Sequence, residues 1–520
     1  MFFQPILKSI WFVALICLSY FIQSHMLLRD DVAYLTYVSG QLFDGKQYGV
    51  DIFETNPPMI LYLSLPIYWL TKFHILDVTH AARLYLFFLS IFSWLTVCWM
   101  LRVIFDKKNR VKQFILETTL LIIFFYLPVN QIGQREDFFM IFIMPYIFSV
   151  ICFLENKSIE NSFVRALIGI VAGVGFALKP YFLATFMLIE LAVVWRKNSV
   201  FACLRVETMM IILVCFFYGI SIFLFQPNYI HILLPLISDF YFPSIKSCWA
   251  CVFLHTTTLY CAIIFLLAML LIKRHQTNQN ITLILMAALL GTMLAYIIPR
   301  APWFYHMIPA KGFATLLAVY MITESPKKIF SSMQSISVIN FIYICVMLFM
   351  INFMLTETAR YMRYFWNDQS EKSYKNLVNY IKNIPISSRR IMCFSGNTTG
   401  ECFPLVYLTE ANYVGSGPFF WWLRGVLGEE MYPLSFPLSK QHQIEKNFLM
   451  NKLVQDLEIK KPCVIIINSV VTKQAIFPFF DFVTYFSSYP TFQKAFKPYH
   501  KKITLGDYTI YRRDDNSCRG

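Results

Sequence analysis

Charge is scarce in this sequence. Asp, Glu, Lys and Arg make up 14% of the 520 residues, against about 25% in soluble domains. That is too little polar side chain to coat a water-facing surface, so a soluble globular protein is excluded. Acid is the scarcer sign, with 30 Asp and Glu against 45 Lys and Arg. No long low-complexity stretch and no internal repeat stands out. The alternating segments of about 10 residues that build a membrane β-barrel are missing as well. The thirteen cysteines show no metal-ligand spacing, and most, such as Cys17, Cys98 and Cys215, lie in apolar runs where cysteine acts as a small hydrophobe.

What the chain has is apolar length. Hydrophobic residues make up 57% of it, in recurring runs of about 18 to 20 residues, enough to cross a bilayer as a helix. About 11 spans are expected, at residues 9–28, 80–104, 114–129, 138–154, 164–178, 181–195, 207–225, 250–272, 281–298, 307–323 and 336–354. The first follows Lys8 and resembles a signal peptide. Without a small-residue cleavage site it reads as an uncleaved span. The piece from Pro57 to Phe73, broken by Pro66, is short and reads as an interfacial or re-entrant helix. With that choice the basic clusters Arg102 to Lys112, Arg196 to Arg205, Lys273 with Arg274, and Lys327 with Lys328 all fall on one side, as the positive-inside rule requires. The net charge of +15 is thereby explained by loops, and nucleic acid is not an expected partner.

The expected architecture is an α-helical polytopic membrane domain, residues 1–354 with a first outer loop at 29–79, followed by an extracytoplasmic α/β domain at 355–520. Strand-length runs at Ile391 to Phe394, Val464 to Ile467 and Asp507 to Tyr511 mark its sheet. Cys393, Cys402, Cys463 and Cys518 fall in this part, where disulfides are open but unpaired by sequence.

On the expected outer face nearly every turn carries an ionisable residue: Asp30 and Asp31, Asp51 and Glu54, Arg135 with Glu136 and Asp137, Lys179, Arg300 and His306. A single one would be an ordinary interface anchor, since charge at a span end snorkels to water. The set converges as a charged substrate would need. Asp30 and Asp31 diverge by about 100° on a helix, so one can face a cavity while the other pairs. Partial desolvation at a wet membrane edge makes a carboxylate a better base, and such a site predicts little folding cost when Asp30 loses its charge. Lys179 follows a span with Gly169, Gly173 and Gly175, small residues that let helices pack closely. It offers a point charge to a phosphate, and Arg300 a bidentate fork. Trp303, Phe304 and Tyr305 beside His306 fit either an interface belt or a sugar platform. Glu190 and Arg83 are the charges nearest to mid-span, both placed close to an end.

These residues resemble the GT-C superfamily of membrane glycosyltransferases, most closely the branch of protein O-mannosyltransferases and the lipid A aminoarabinose transferase. The resemblance rests on Asp30-Asp31-Val32-Ala33-Tyr34, on Phe53-Glu54-Thr55-Asn56-Pro57-Pro58, on Arg135-Glu136-Asp137 and on Phe176-Ala177-Leu178-Lys179-Pro180. Thr55 and Asn56 stand where the family carries a lysine. The resemblance implies an inverting transfer of sugar from a polyprenyl-phosphate carrier to an outer-face hydroxyl of a lipid, glycan or protein. Asp30 would be the base, with Asp31 its catalytic neighbour. Lys179 and Arg300 would stabilise the phosphate, Glu54 and Glu136 would orient sugar or acceptor, and Arg135 and His306 would complete the substrate-binding set. No cofactor or metal is required, although paired carboxylates could hold a divalent ion. The implied setting is a bacterial inner membrane, with membrane lipid around it and the site facing the periplasm. The rival readings are a polysaccharide polymerase or ligase, a lipid or solute transporter, and a scaffold without chemistry.

Overall fold

A computed structural model gives the structure of residues 5–106, 109–157, 159–273, 277–301, 303–324, 369–395, 402–417, 420–423, 425–427, 440–468, 481–514 and 518. The expected span at 336–354 lies outside these described residues. In chain order the helices are α1 (Pro5–Ser24), α2 (Asp30–Phe43), α3 (Met59–Lys72), α4 (Val78–Ile104), α5 (Arg110–Phe125), α6 (Arg135–Leu154), α7 (Ser162–Ala177), α8 (Leu183–Lys197) and α9 (Val206–Phe225). There follow α10 (Tyr229–Ile245, with π-helical turns), α11 (Trp249–Phe253), α12 (Thr256–Lys273), α13 (Gln279–Ile297) and α14 (Ile308–Glu324).

Six of them, α1, α4, α6, α9, α12 and α13, are long and apolar enough to cross a membrane. Large apolar side chains stand exposed along α9, Phe216, Phe217, Phe223, Leu224 and Phe225 among them, where water would penalise them and lipid would not. The protein is an integral membrane protein on that ground. Among the described residues these six leave the expected count of 11 open, since α5, α7, α8 and α14 are shorter, with 16, 16, 15 and 17 residues. The expected span at 250–272 is two helices, because the chain breaks at Leu254 and His255. α3 is 14 residues long, about 21 Å at 1.5 Å per residue, short of the roughly 30 Å hydrocarbon core.

The chain folds as two compact units. One comprises Met1–Met26, Ala82–Ser221 and Lys246–Tyr364, the other Leu27–Ala81, Ile222–Ile245 and Phe365–Gly520. In the first, α6 is the central helix, with 94% of its apolar window buried. α7 closes on its neighbours through glycine: a Cβ on Gly169 would lie 2.5 Å from the Glu207 carbonyl of α9, and one on Gly175 would lie 3.0 Å from Phe142 of α6. Some polar side chains inside this bundle find backbone partners, as Ser19 Oγ does at Phe125 O (2.7 Å) and Trp94 Nε1 at Glu117 O (2.9 Å).

The second unit joins α2 and α3 to α10 and to a five-stranded sheet of order β2-β1-β3-β5-β4. Its strands are β1 (Arg390–Phe394), β2 (Asn412–Tyr413), β3 (Val464–Asn468), β4 (Tyr499–Leu505) and β5 (Tyr508–Arg513). β2, β1 and β3 run parallel, with Ile391 opposite Val464, and β5 and β4 are antiparallel. Disulfides Cys393–Cys402 and Cys463–Cys518 pair the cysteines that the sequence left unassigned. The turn before Glu54 is tied to the sheet layer: Phe53 N–H donates to Ser416 O at 3.2 Å, and Trp421 Nε1 donates to Phe53 O at 3.0 Å.

Candidate active site

In the first unit three separate turns deliver ionisable groups to one place. The α6 turn is set by Gly133, whose φ of 89° is a conformation open to glycine. Its N–H donates to Asp137 Oδ2 at 2.9 Å, so a first-turn carboxylate locks the helix start, where negative charge is favoured. Lys179 is extended (φ −148°, ψ 135°) because Pro180 follows it, and a residue before proline is pushed out of the helical region. His306 lies on a short 3₁₀ turn before α14.

Lys179 Nζ donates to Glu136 Oε1 at 2.5 Å and sits 3.4 Å from His306 Nε2. His306 Nδ1 lies 2.9 Å from the Ala301 carbonyl, so Nδ1 carries the proton and Nε2 offers its lone pair to the lysine. Burial, reinforced by the Lys179 charge, pushes the imidazole down to about 3. A neutral ring follows, and the 3.5 Å approach of Nε2 to Glu136 Oε1 is therefore not an ion pair. Arg135 and Lys179 both stand over the Tyr305 ring, at 5.7 and 5.8 Å. Glu136 is 1% exposed and Lys179 5%, so these are not snorkelling anchors. Tyr305 touches cations, as a belt residue need not.

Arg300 is not drawn into this group. Its guanidinium lies over Trp249 at 4.8 Å. Lys311, which the sequence reading passed over, is buried in α14 above Phe304 at 4.5 Å; an apolar-looking helix hid it. Glu190 is midway along α8 rather than near its end. It is buried with Tyr146, Arg205 and Thr208 around Oε1. Arg83 is likewise buried and donates to the Met26 carbonyl. Glu190 thus corrects the expected place near a helix end, whereas Arg83, in the second turn of α4, keeps it.

In the second unit Asp30 and Asp31 open α2. Asp30 is buried, with Oδ1 2.8 Å from Arg29 Nε, so the expected wet, unpartnered setting is wrong. Asp30 and Asp31 are four and three residues from Tyr34, so both reach its side of the helix. Burial raises the Tyr34 phenol well above its ordinary range, and the Glu54 and Asp31 charges add to that. Glu54 Oε1 accepts from Asn56 N at 2.8 Å and also from the Asn56 amide and Thr55 hydroxyl. The residues standing in place of the family's lysine thus hold Glu54 instead. Among the described residues one group could hold a metal ion: Asp239, His442 and Glu445 bring a ligand atom each to within 4.8 Å of one another. They are distant in sequence, so no spacing reveals them.

No family model and no curated protein matches the sequence. Among solved structures, the chain is similar to the crystal structure of ArnT from Cupriavidus metallidurans bound to undecaprenyl phosphate. The identity is 10% and the TM-score 0.55, over 98% of this chain and 99% of that one. At this identity the likeness establishes the fold alone.

Proposed function

We propose that this protein is an inverting glycosyltransferase that moves a sugar from a polyprenyl-phosphate carrier to an acceptor hydroxyl on the periplasmic side of a bacterial inner membrane. The observation that carries the reading is the buried Lys179, Glu136, Arg135 and His306 group. Cations withdrawn from water in an apolar chain suit a lipid-linked phosphate. The fold adds support, since the ArnT of similar fold was crystallised with undecaprenyl phosphate. Three disulfides, Cys248–Cys251, Cys393–Cys402 and Cys463–Cys518, lie in segments assigned to the outer side, and disulfides persist in oxidising compartments.

In the proposed reaction a carboxylate takes the proton of the acceptor hydroxyl. The oxygen attacks the anomeric carbon in line, and the bond to the carrier phosphate breaks. Lys179 and Arg135 stabilise the phosphate charge as it leaves, and Glu136 and neutral His306 hold the lysine in position. Arg300 is a further candidate for the phosphate. Of the acidic pair, Asp30 is paired with Arg29, so we assign the proton to Asp31, whose charge acts on the Tyr34 phenol. Glu54 orients the acceptor. No step requires a metal.

Removing Lys179 alone would strand the buried Glu136, which costs about 3–5 kcal/mol by itself. The informative variant is the pair Lys179→Met with Glu136→Gln, which deletes both charges. Loss of a charge-assisted phosphate contact is worth about 1.5–3 kcal/mol, or about tenfold to over a hundredfold in donor use. Transfer from a polyprenyl-phosphate sugar should fall by that factor in the double variant and much less in Lys179→Arg. A folded double variant with wild-type transfer would remove the reading.

A further inference from the structure

Cys248-Trp249-Ala250-Cys251 is a Cys-x-x-Cys segment on α11, closed by a disulfide with Cα atoms 5.2 Å apart. It differs from the other two disulfides. Cys393, Cys402 and Cys463 are fully buried and Cys518 nearly so, whereas Cys248 and Cys251 are both exposed. Thiol–disulfide exchange needs a thiolate to reach a sulfur, so access separates the three. Loop size separates them again. Three residues of sequence separation close a far smaller ring than the 55 between Cys463 and Cys518, so Cys248–Cys251 restrains the unfolded chain least and matters least as a staple.

The segment is also gripped by one of the candidate site residues. Ser247 N–H donates to the Arg300 carbonyl at 2.8 Å, and the Arg300 guanidinium stands 4.8 Å over the ring of Trp249, inside the disulfide loop. Arg300 holds φ at 50°, a region that a residue with a side chain keeps only when its surroundings hold it there. The peptide N–H of Cys251 points at Cys248 Sγ, 3.0 Å away. A thiolate released at Cys248 would keep that donor, which favours Cys248 as the leaving sulfur.

We propose that Cys248 and Cys251 form a surface thiol–disulfide pair that an external dithiol opens, and that the closed form holds Arg300 on Trp249. One thiolate of the dithiol bonds to Cys251 Sγ, and the Cys248–Cys251 bond breaks with its electron pair on Cys248, which takes up a proton. The second thiol of the reagent then displaces Cys251, which is protonated in turn. The reagent leaves as a disulfide, and two electrons and two protons have passed to the chain. The reactivity of the pair stands on its own geometry. Its effect on sugar transfer rests on the function proposed above.

The test uses the full-length protein in detergent. Free thiols are first blocked with a maleimide, then dithiothreitol is titrated without denaturant, and new thiols are alkylated with iodoacetamide and located by peptide mass. Cys248 and Cys251 should be labelled before the four other disulfide cysteines. Joint release of all six, or release only in denaturant, would overturn the proposal. The second arm compares the KM for a polyprenyl-phosphate sugar between oxidised protein, reduced protein and Cys248→Ser/Cys251→Ser. Loss of the cation–aromatic contact should raise KM about two- to fivefold in the last two, with no further rise when Arg300→Ala is added to the serine pair. Equal KM in all forms removes the link to Arg300. If no form transfers sugar, the proposed function fails, and the link is then read from Trp249 itself. Reduction should change tryptophan fluorescence in the wild type and not in Trp249→Phe, and an unchanged wild-type signal would reject it.

Discussion

Arg29 Nε lies 2.8 Å from Asp30 Oδ1, and that single contact changes what each member of the acidic pair is expected to do. Asp30→Asn leaves the partly exposed Arg29 guanidinium without the carboxylate it pairs with, so a drop in thermal stability should accompany any loss of transfer. Asp31→Asn keeps size and removes the proton acceptor. Transfer should fall by about 10² to 10⁴, the usual worth of a general base, with melting little changed. Sugar transfer and thermal melting of the two variants, measured side by side, decide it. Full transfer in Asp31→Asn with loss in Asp30→Asn reverses the assignment, and full transfer in both ends the mechanism. The acidic pair itself was legible in the sequence, from its place after the first apolar run. Which carboxylate is paired was not, because that depends on how Arg29 folds back on Asp30. Arg135, Glu136, Lys179 and His306 were legible as candidates for the same reason of placement. Their mutual hydrogen bonds were not, since they join residues up to 127 positions apart.

At the scale of elements, close helix contact is bought with glycine, and the sequence reveals this only in part. The glycines of α7 stand out at helical spacing. Gly291 of α13 does not, yet a Cβ there would lie 2.3 Å from the Thr185 Cα of α8. Backbone cannot yield as a side-chain tip can, so Gly291→Ala should force α8 and α13 apart, at about 1–3 kcal/mol for overpacking. Gly219 of α9 is the control. A Cβ there meets nothing within 4 Å, and alanine replaces a residue that costs a helix about 0.5–1 kcal/mol. Thermal melting in detergent should show Gly291→Ala below wild type and Gly219→Ala at or above it, and the reverse order would contradict the packing described. α10 shows the other limit of sequence reading. Pro235, Asp239 and Pro243 interrupt its apolar run, so hydropathy passed over a helical segment that the second unit nevertheless packs into itself. Boundaries shifted for a related reason: α5 begins at Arg110, since a basic residue can extend a helix into water without ending it.

At the scale of the whole molecule, membrane residence and the small sheet were legible, because they rest on composition and on strand-length runs. The count of spans was less so, because several apolar runs fold as helices of 15 to 17 residues flanked by 3₁₀ turns such as Pro180–Phe182. Sidedness is an expectation from the distribution of charge, and it is where the functional reading is most exposed to test. The loop that carries Arg102, Lys107, Lys108, Arg110 and Lys112 is assigned to the cytoplasm, and residues 355–520 to the opposite side. Asn109 lies in that loop, and Ile459 is 74% exposed next to Lys460, so a cysteine at either position is open to reagent with little cost to the core. In intact cells a membrane-impermeant maleimide should label Ile459→Cys, while Asn109→Cys should stay dark until the membrane is permeabilised. The wild type supplies the background from native thiols such as Cys17, which is exposed. Labelling of Asn109→Cys in intact cells would invert the topology. It would also place the three disulfide segments in a reducing compartment, where such bonds are rare, and leave a periplasmic transfer reaction without its site. Labelling of both positions from outside would break the alternation of spans between them, and the assignment of Asp30, Lys179 and His306 to one face would fall with it.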